Sequence, residues 1–251
     1  MSQNIYDDPT FFTSYNTLPR SQHGLSAAPE WPILKSMLLK DQPNIKDTHV
    51  LDLGSGYGWF CRWAVEEGLA GKVHGVDISG KMLKRARETT PESYGITYEK
   101  ADLDSITLAK GAYDVVYSSL TLHYLSDLER LFQSIHETLK SKGRLVFSIE
   151  HPVYTAPHEE KWHQTESEEE YWLLNDYGAE GERVRNWLGQ DVKKFHRSIQ
   201  TYLTLLIKTG FNLVDFVEWM PSKKDLEEHP DWARERHRPA FLLIGVEKKI
   251  S

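Results

Sequence analysis

The sequence predicts an α/β fold: a doubly wound, mostly parallel sheet with a segment inserted after the fifth strand. Three observations carry this. From about residue 50 to 150, short apolar runs alternate with amphipathic helical stretches, the pattern of βαβ units. The first run ends in a glycine-rich turn, Val50-Leu51-Asp52-Leu53-Gly54-Ser55-Gly56-Tyr57-Gly58, and the second ends in an acid, Asp77. Between His151 and Asp191 the periodicity stops in an acidic, aromatic stretch, and a helix and two strands then resume it.

The elements follow in order. Residues 1–30 are polar with aromatics and Pro/Gly punctuation, an irregular N-terminal arm; Trp31, Ile33, Leu34, Met37 and Leu38 then mark a short helix. Strand one covers 50–53, and its helix runs from Tyr57 to a stop at Gly68. Strand two covers 72–76 and helix two 80–89, with Met82, Leu83 and Ala86 inward. Strands three (96–100) and four (114–118) follow. Leu128, Leu131, Phe132, Ile135 and Leu139 give a helical stripe closed by Gly143, ahead of strand five at 144–149. Residues 152–191 hold Tyr154, Trp162, Tyr171, Trp172, Tyr177 and Trp187. That aromatic density exceeds what disordered segments carry, so an ordered cap is expected. A helix with Ile199, Tyr202, Leu203 and Leu206 on one face ends at Gly210, and strands at 211–219 and 241–247 complete seven. One domain spanning 1–251, with an arm and helix over 1–40, accounts for the pattern.

Length and charge narrow the function classes. The chain has 251 residues and a formal net charge of −7, which opposes a nucleic-acid groove or a polybasic membrane surface. No apolar run reaches the ~20 residues of a membrane span, and the N-terminal residues lack a secretory pattern. A cytoplasmic protein is expected, and a homodimer is compatible with the sequence. The single cysteine, Cys61, falls on the first helix beside Trp59 and Trp63 and reads as a buried small hydrophobe. His158-Glu159-Glu160-Lys161-Trp162-His163 is one residue too long for H-E-x-x-H, so no metal site is expected.

A strand–glycine turn–helix–strand unit holds a nucleoside-type ligand at the carboxyl ends of parallel strands, and Asp77 stands where it can accept both ribose hydroxyls. A dinucleotide site wants G-x-G-x-x-G; here Trp59 takes the place of the third glycine, and Asp52 would face a pyrophosphate. A P-loop lysine is missing as well. S-adenosylmethionine has no phosphate and carries a sulfonium and an ammonium, so an acid beside the turn attracts it. On these residues the chain resembles the class I S-adenosylmethionine-dependent methyltransferases, closest to the small-molecule group that includes ubiquinone- and menaquinone-biosynthesis enzymes. The resemblance implies a Rossmann-like methyltransferase fold with an antiparallel last strand. The rival readings are a nicotinamide-dependent oxidoreductase and a non-catalytic S-adenosylmethionine-binding protein.

The resemblance also implies roles. Asp52 with Gly54, Ser55 and Gly56 would hold the methionine end, and Arg20 in the arm, near Tyr15, would clamp its carboxylate. Asp102 would accept from the adenine amino group beside Leu103, with Ile78 and Met82 near the nucleoside and Ser118 near the methionine moiety. The Asn/Asp-Pro-Pro-Tyr motif of DNA and protein-glutamine amino-methyltransferases is replaced by Ser118-Ser119-Leu120-Thr121-Leu122, which points to a small-molecule acceptor. His151 leaves strand five where ligands collect and is the first candidate for a general base, with His196 second. His123, Tyr154, Trp187 and Arg197 are candidate acceptor contacts, Arg197 for an acceptor carboxylate.

Overall fold

The computed structural model describes residues 2–249. The arm is not irregular: it folds into α1 (Pro9–Tyr15) and α2 (Pro19–His23), short helices that each start on a proline, where a missing N–H costs nothing. The chain then runs through α3 (Trp31–Leu39), β1 (His49–Leu53), α4 (Trp59–Glu66), β2 (Lys72–Asp77), α5 (Gly80–Thr89), β3 (Thr97–Lys100), β4 (Tyr113–Ser119), α6 (Leu128–Thr138) and β5 (Leu139–Glu150). Gly143 therefore lies inside β5 and does not close α6, which ends five residues earlier. After β5 come α7 (Pro152–Thr155) and two hairpins, β6 (Trp162–Gln164) with β7 (Glu170–Trp172), and β8 (Gly181–Trp187) with β9 (Gln190–His196). The insertion thus continues to His196, beyond the expected 191. The chain finishes with α8 (Ile199–Thr209), β10 (Phe211–Trp219), α9 (Lys223–Glu228) and β11 (Phe241–Lys248).

Seven strands form one sheet in the order β10-β11-β5-β4-β1-β2-β3. β11 alone runs antiparallel to its neighbours, between β5 and β10. Alternation along β1 sorts the two faces. Leu51 and Leu53 join the apolar layer under α6 and α8, and Val50 joins the layer under α3 and α4. The strand order reverses between β1 and β4, and the loops at their carboxyl ends part there to leave a crevice.

Candidate functional site

The glycine turn after β1 floors the crevice. Gly54 and Ser55 both donate to the Val76 carbonyl, at 2.8 and 2.9 Å, tying the turn to the end of β2. Gly54 has φ +81, and a Cβ there would meet the Thr121 side chain at 2.1 Å; only glycine fits. Gly56 has φ +51 and differs in its surroundings: a Cβ there would find nothing within 4 Å. That open direction is the cavity, whose walls include Gly56, and whose volume is about 690 Å³.

Three acids at successive strand ends line it. Asp77 is buried, and its two oxygens accept from the Gly56 and Ser79 amides at 2.9 and 2.8 Å. Each oxygen of a carboxylate offers two lone pairs, so one remains on each. Burial pushes its pKa up to about 6 against those two hydrogen bonds. Asp52 is 2% exposed, and the Cys61 thiol donates to its Oδ2 at 3.3 Å. Burial drives Asp52 to about 7, with the nearby charge of Asp77 adding to the rise. Asp102 is bound by the arm: Ser2 donates to it through its amide at 3.1 Å and its hydroxyl at 2.6 Å, and Asp104 N donates at 3.0 Å. Leu103, Ile78, Met82 and Ser55 complete this end, and the buried Ser55 hydroxyl has no hydrogen-bond partner among the described residues.

The opposite wall is aromatic. Tyr6, Tyr15, Tyr124, Tyr154 and Trp187 line the cavity, and burial raises the pKa of all four tyrosines, so their hydroxyls stay protonated. Trp187, at the tip of β8, meets Phe11 and Tyr15 of α1 edge-on at 5.4 and 6.0 Å. The Gln3 side chain accepts from Lys193 N and donates to the Asp191 carbonyl, each at 2.8 Å. In this way the arm and the second hairpin join into a roof. Arg20 lines the cavity, fixed by two bonds to the buried Glu30 carboxylate at 2.7 and 2.8 Å and one to Ser119 Oγ at 3.4 Å.

Several sequence-derived assignments are corrected here. His151 is buried and does not line the cavity: Nδ1 accepts from Val153 N at 3.1 Å and Nε2 meets Glu218 of β10 at 2.9 Å. His196 is likewise committed, Nδ1 to Thr155 Oγ1 and Nε2 to the Tyr177 carbonyl, both at 2.9 Å. Neither ring nitrogen of either residue is left to take a proton. Arg197 donates to the Leu125 and Ser126 carbonyls at 2.7 and 2.9 Å and pins a loop. The Ser118 hydroxyl donates to the Leu53 carbonyl at 2.7 Å, and it is Ser119 that faces the cavity.

Glu150 and Lys194 line the cavity and are absent from the sequence-derived candidates. Glu150 is the neighbour of His151. Successive strand side chains point to opposite faces, so a reading that stopped on the histidine chose the wrong side of the strand end. Lys194 lies in β9, inside a charged run that reads as a solvated face. It is in fact buried, with its ammonium 2.5 Å from Glu150 Oε1.

The lining counts seven acids against four bases, a balance that suits a cationic ligand and opposes a pyrophosphate. The crevice at the strand-order reversal, the acids at the ends of β1 and β2 and the vacant direction at Gly56 fit S-adenosylmethionine. Residues 51–147 match the family model described as a methyltransferase domain. The solved structure of an S-adenosylmethionine-dependent methyltransferase from Mesorhizobium loti is 43% identical and superposes with a TM-score of 0.84, over 90% of this chain and all of that one. The chain belongs to the class I S-adenosylmethionine-dependent methyltransferases. It is an enzyme of that family, its methyl donor is S-adenosylmethionine, and the dinucleotide alternative is set aside. An uncharacterized Haemophilus influenzae protein is 33% identical over 98% of this chain and 97% of its own. A malonyl-[acyl-carrier protein] O-methyltransferase of Gallionella capsiferriformans is 31% identical over 41% of this chain and 38% of its own.

Proposed function

We propose that this methyltransferase acts on a small, flat, largely apolar molecule held beneath the roof formed by the arm and the second hairpin. The observation that carries the reading is continuity. One cavity of about 690 Å³ runs from Asp52, Asp77 and Asp102 to Tyr6, Tyr124, Tyr154 and Trp187, within the usual range for small-molecule sites. Aromatic faces suit a flat acceptor and tolerate a cationic one.

The donor would lie along the acidic wall. Asp77 keeps one free lone pair on each oxygen for the two ribose hydroxyls. Asp52 and the glycine turn take the cationic methionine end, and Arg20, held square by Glu30, faces its carboxylate. Asp102 still has one lone pair on Oδ2 for the adenine amino group, with Leu103, Ile78 and Met82 against the ring. When bound, S-adenosylmethionine supplies an electrophilic methyl. The protein's part is to orient the nucleophile toward it and to exclude water.

The test pairs titration calorimetry of S-adenosylmethionine with release of S-adenosylhomocysteine over phenols, amines, thiols and carboxylates. Methylation of at least one small acceptor is expected. Label that passes from the donor only into the macromolecular fraction of an extract would sink the small-molecule reading.

A further inference from the structure

At the acceptor end of the cavity two buried polar atoms have no hydrogen-bond partner among the described residues: Glu150 Oε2 and His123 Nε2. Both side chains line the cavity, and His123 Nε2 lies 3.9 Å from Glu150 Oε1. Buried polar groups without partners are rare and destabilising, and a pair of them on a ligand-sized cavity marks where a ligand supplies the missing bonds. The two are not equivalent. His123 Nδ1 accepts from Glu150 N at 3.4 Å, which leaves the proton on Nε2. Burial, with the charges of Lys194 and Arg197, holds the ring neutral. His123 is therefore a hydrogen-bond donor at this point, and the carboxylate is the free acceptor.

Glu150 is held in place on one side only. Lys194 pairs with Oε1, and that ammonium is enclosed by the rings of Trp187, Tyr154 and Tyr124 at 5.7, 5.9 and 6.0 Å. With Oε1 occupied, Oε2 is the oxygen left for the acceptor.

Resting on the small-molecule reading above, we propose that Glu150 is the catalytic residue that takes the acceptor's proton, so that the acceptor presents a hydroxyl or an amine. The bond between the nucleophile's O or N and the methyl carbon forms as the carbon–sulfur bond breaks, and the sulfur keeps that electron pair. The nucleophile's proton passes to Glu150 Oε2. The sulfonium's positive charge and the carboxylate's negative charge vanish together, so the net charge of the enclosed site is unchanged. That balance favours the step where charge separation is expensive. A thiolate or a carbanion needs no such group.

The experiment uses the full chain with four probes: phenol, 4-nitrophenol (which ionises without help near neutral pH), benzylamine and thiophenol. Glu150→Gln is expected to lower kcat on phenol or benzylamine by ~10²-fold, as for loss of a general base. KM and S-adenosylhomocysteine affinity by calorimetry should stay within a few-fold. Turnover on 4-nitrophenol should be nearly unchanged, and turnover on phenol should recover as pH rises. A purely structural role would depress all substrates alike and show no pH recovery. If Glu150→Gln does not fold, Glu150→Asp keeps the charge opposite Lys194 and should give an intermediate loss with the same pH recovery. Equal losses on phenol and 4-nitrophenol, no loss at all, or wild-type turnover on thiophenol alone would overturn the assignment and leave the small-molecule reading standing. No wild-type turnover on any probe would overturn both.

Discussion

The two ends of the cavity are built in different ways. The donor end is made of consecutive residues: a turn of nine, an acid that follows nineteen residues later, and a second acid after β3. Its geometry is fixed by backbone bonds such as those from Gly54 and Ser55 to the Val76 carbonyl. The acceptor end joins Tyr6 and Tyr15 from the arm, Tyr124 after β4, Glu150 at the end of β5 and Trp187 and Lys194 from an inserted hairpin. A site shaped by backbone tolerates few residue types and leaves a motif. A site assembled from side chains across the sequence leaves none.

The largest effect expected from breaking the donor end is at Gly56. Gly56→Val should abolish S-adenosylmethionine binding, because the new Cβ enters the cavity and meets no protein atom within 4 Å. The same openness means the fold should survive, apart from about 1–3 kcal/mol for a branched residue at positive φ. Calorimetry on a variant with native circular dichroism checks it; near-native affinity would misplace the turn. Asp77→Ala comes next, with affinity at least about tenfold weaker, since two hydrogen bonds to a charged group are lost. An unchanged dissociation constant would remove the ribose role.

A pH titration sharpens the same comparison. Burial raises Asp52 to about 7 and Asp77 to about 6, and the cationic donor favours their ionised forms. S-adenosylmethionine affinity should therefore fall at least about tenfold between pH 8 and pH 5.5, with protons released on binding below about pH 7 and none released at pH 8. Without ligand the sign reverses. Both folded pKa values lie above the ordinary carboxylate value, so the folded state holds more protons across the window between them. Their contribution to stability then declines as pH rises from about 4 to about 7. A binding constant flat over this range would mean the two acids do not face the donor's charges.

How much of this was legible in the sequence follows the same division. The alternation of strands and helices, the glycine turn and the acids Asp52 and Asp77 at strand ends were readable because strand alternation and positive φ restrict sequence locally, whereas the antiparallel last strand and the place of Asp102 came from the family resemblance. The arm's helices escaped notice because each is only five to seven residues long, too short for a 3.6-residue period to show. Lys194 was unreadable for a different reason. Arg185, Val192 and Lys194 lie on the buried face of a two-stranded ribbon whose inward side is set by the cavity it covers, and not by its own hydrophobicity. A buried lysine among charged neighbours gives no signal in one dimension.

Trp187→Ala tests the acceptor end with a smaller effect. The indole forms wall and roof, contacting Phe11, Tyr15 and the Lys194 ammonium. Donor affinity should stay within a few-fold, while the KM of a phenol or amine acceptor rises several-fold with kcat less affected, the mark of lost uniform binding. A loss confined to donor affinity would move Trp187 to the other end.

The smallest kinetic effect is expected at the residue the sequence offered first as a general base. His151 follows β5 at a position that faces a ligand in many open sheets, but its ring turns away, with both nitrogens engaged by Val153 N and Glu218. His151→Ala should leave donor affinity, KM and kcat within a few-fold. It should still destabilise the protein by about 1–3 kcal/mol, because Val153 N loses its buried partner and a cavity opens beneath α7. Denaturant unfolding and steady-state kinetics on the same preparation separate the two outcomes. A hundredfold fall in kcat with unchanged stability would place the proton acceptor on the far side of the strand end from Glu150, and would require α7 to rotate before methyl transfer.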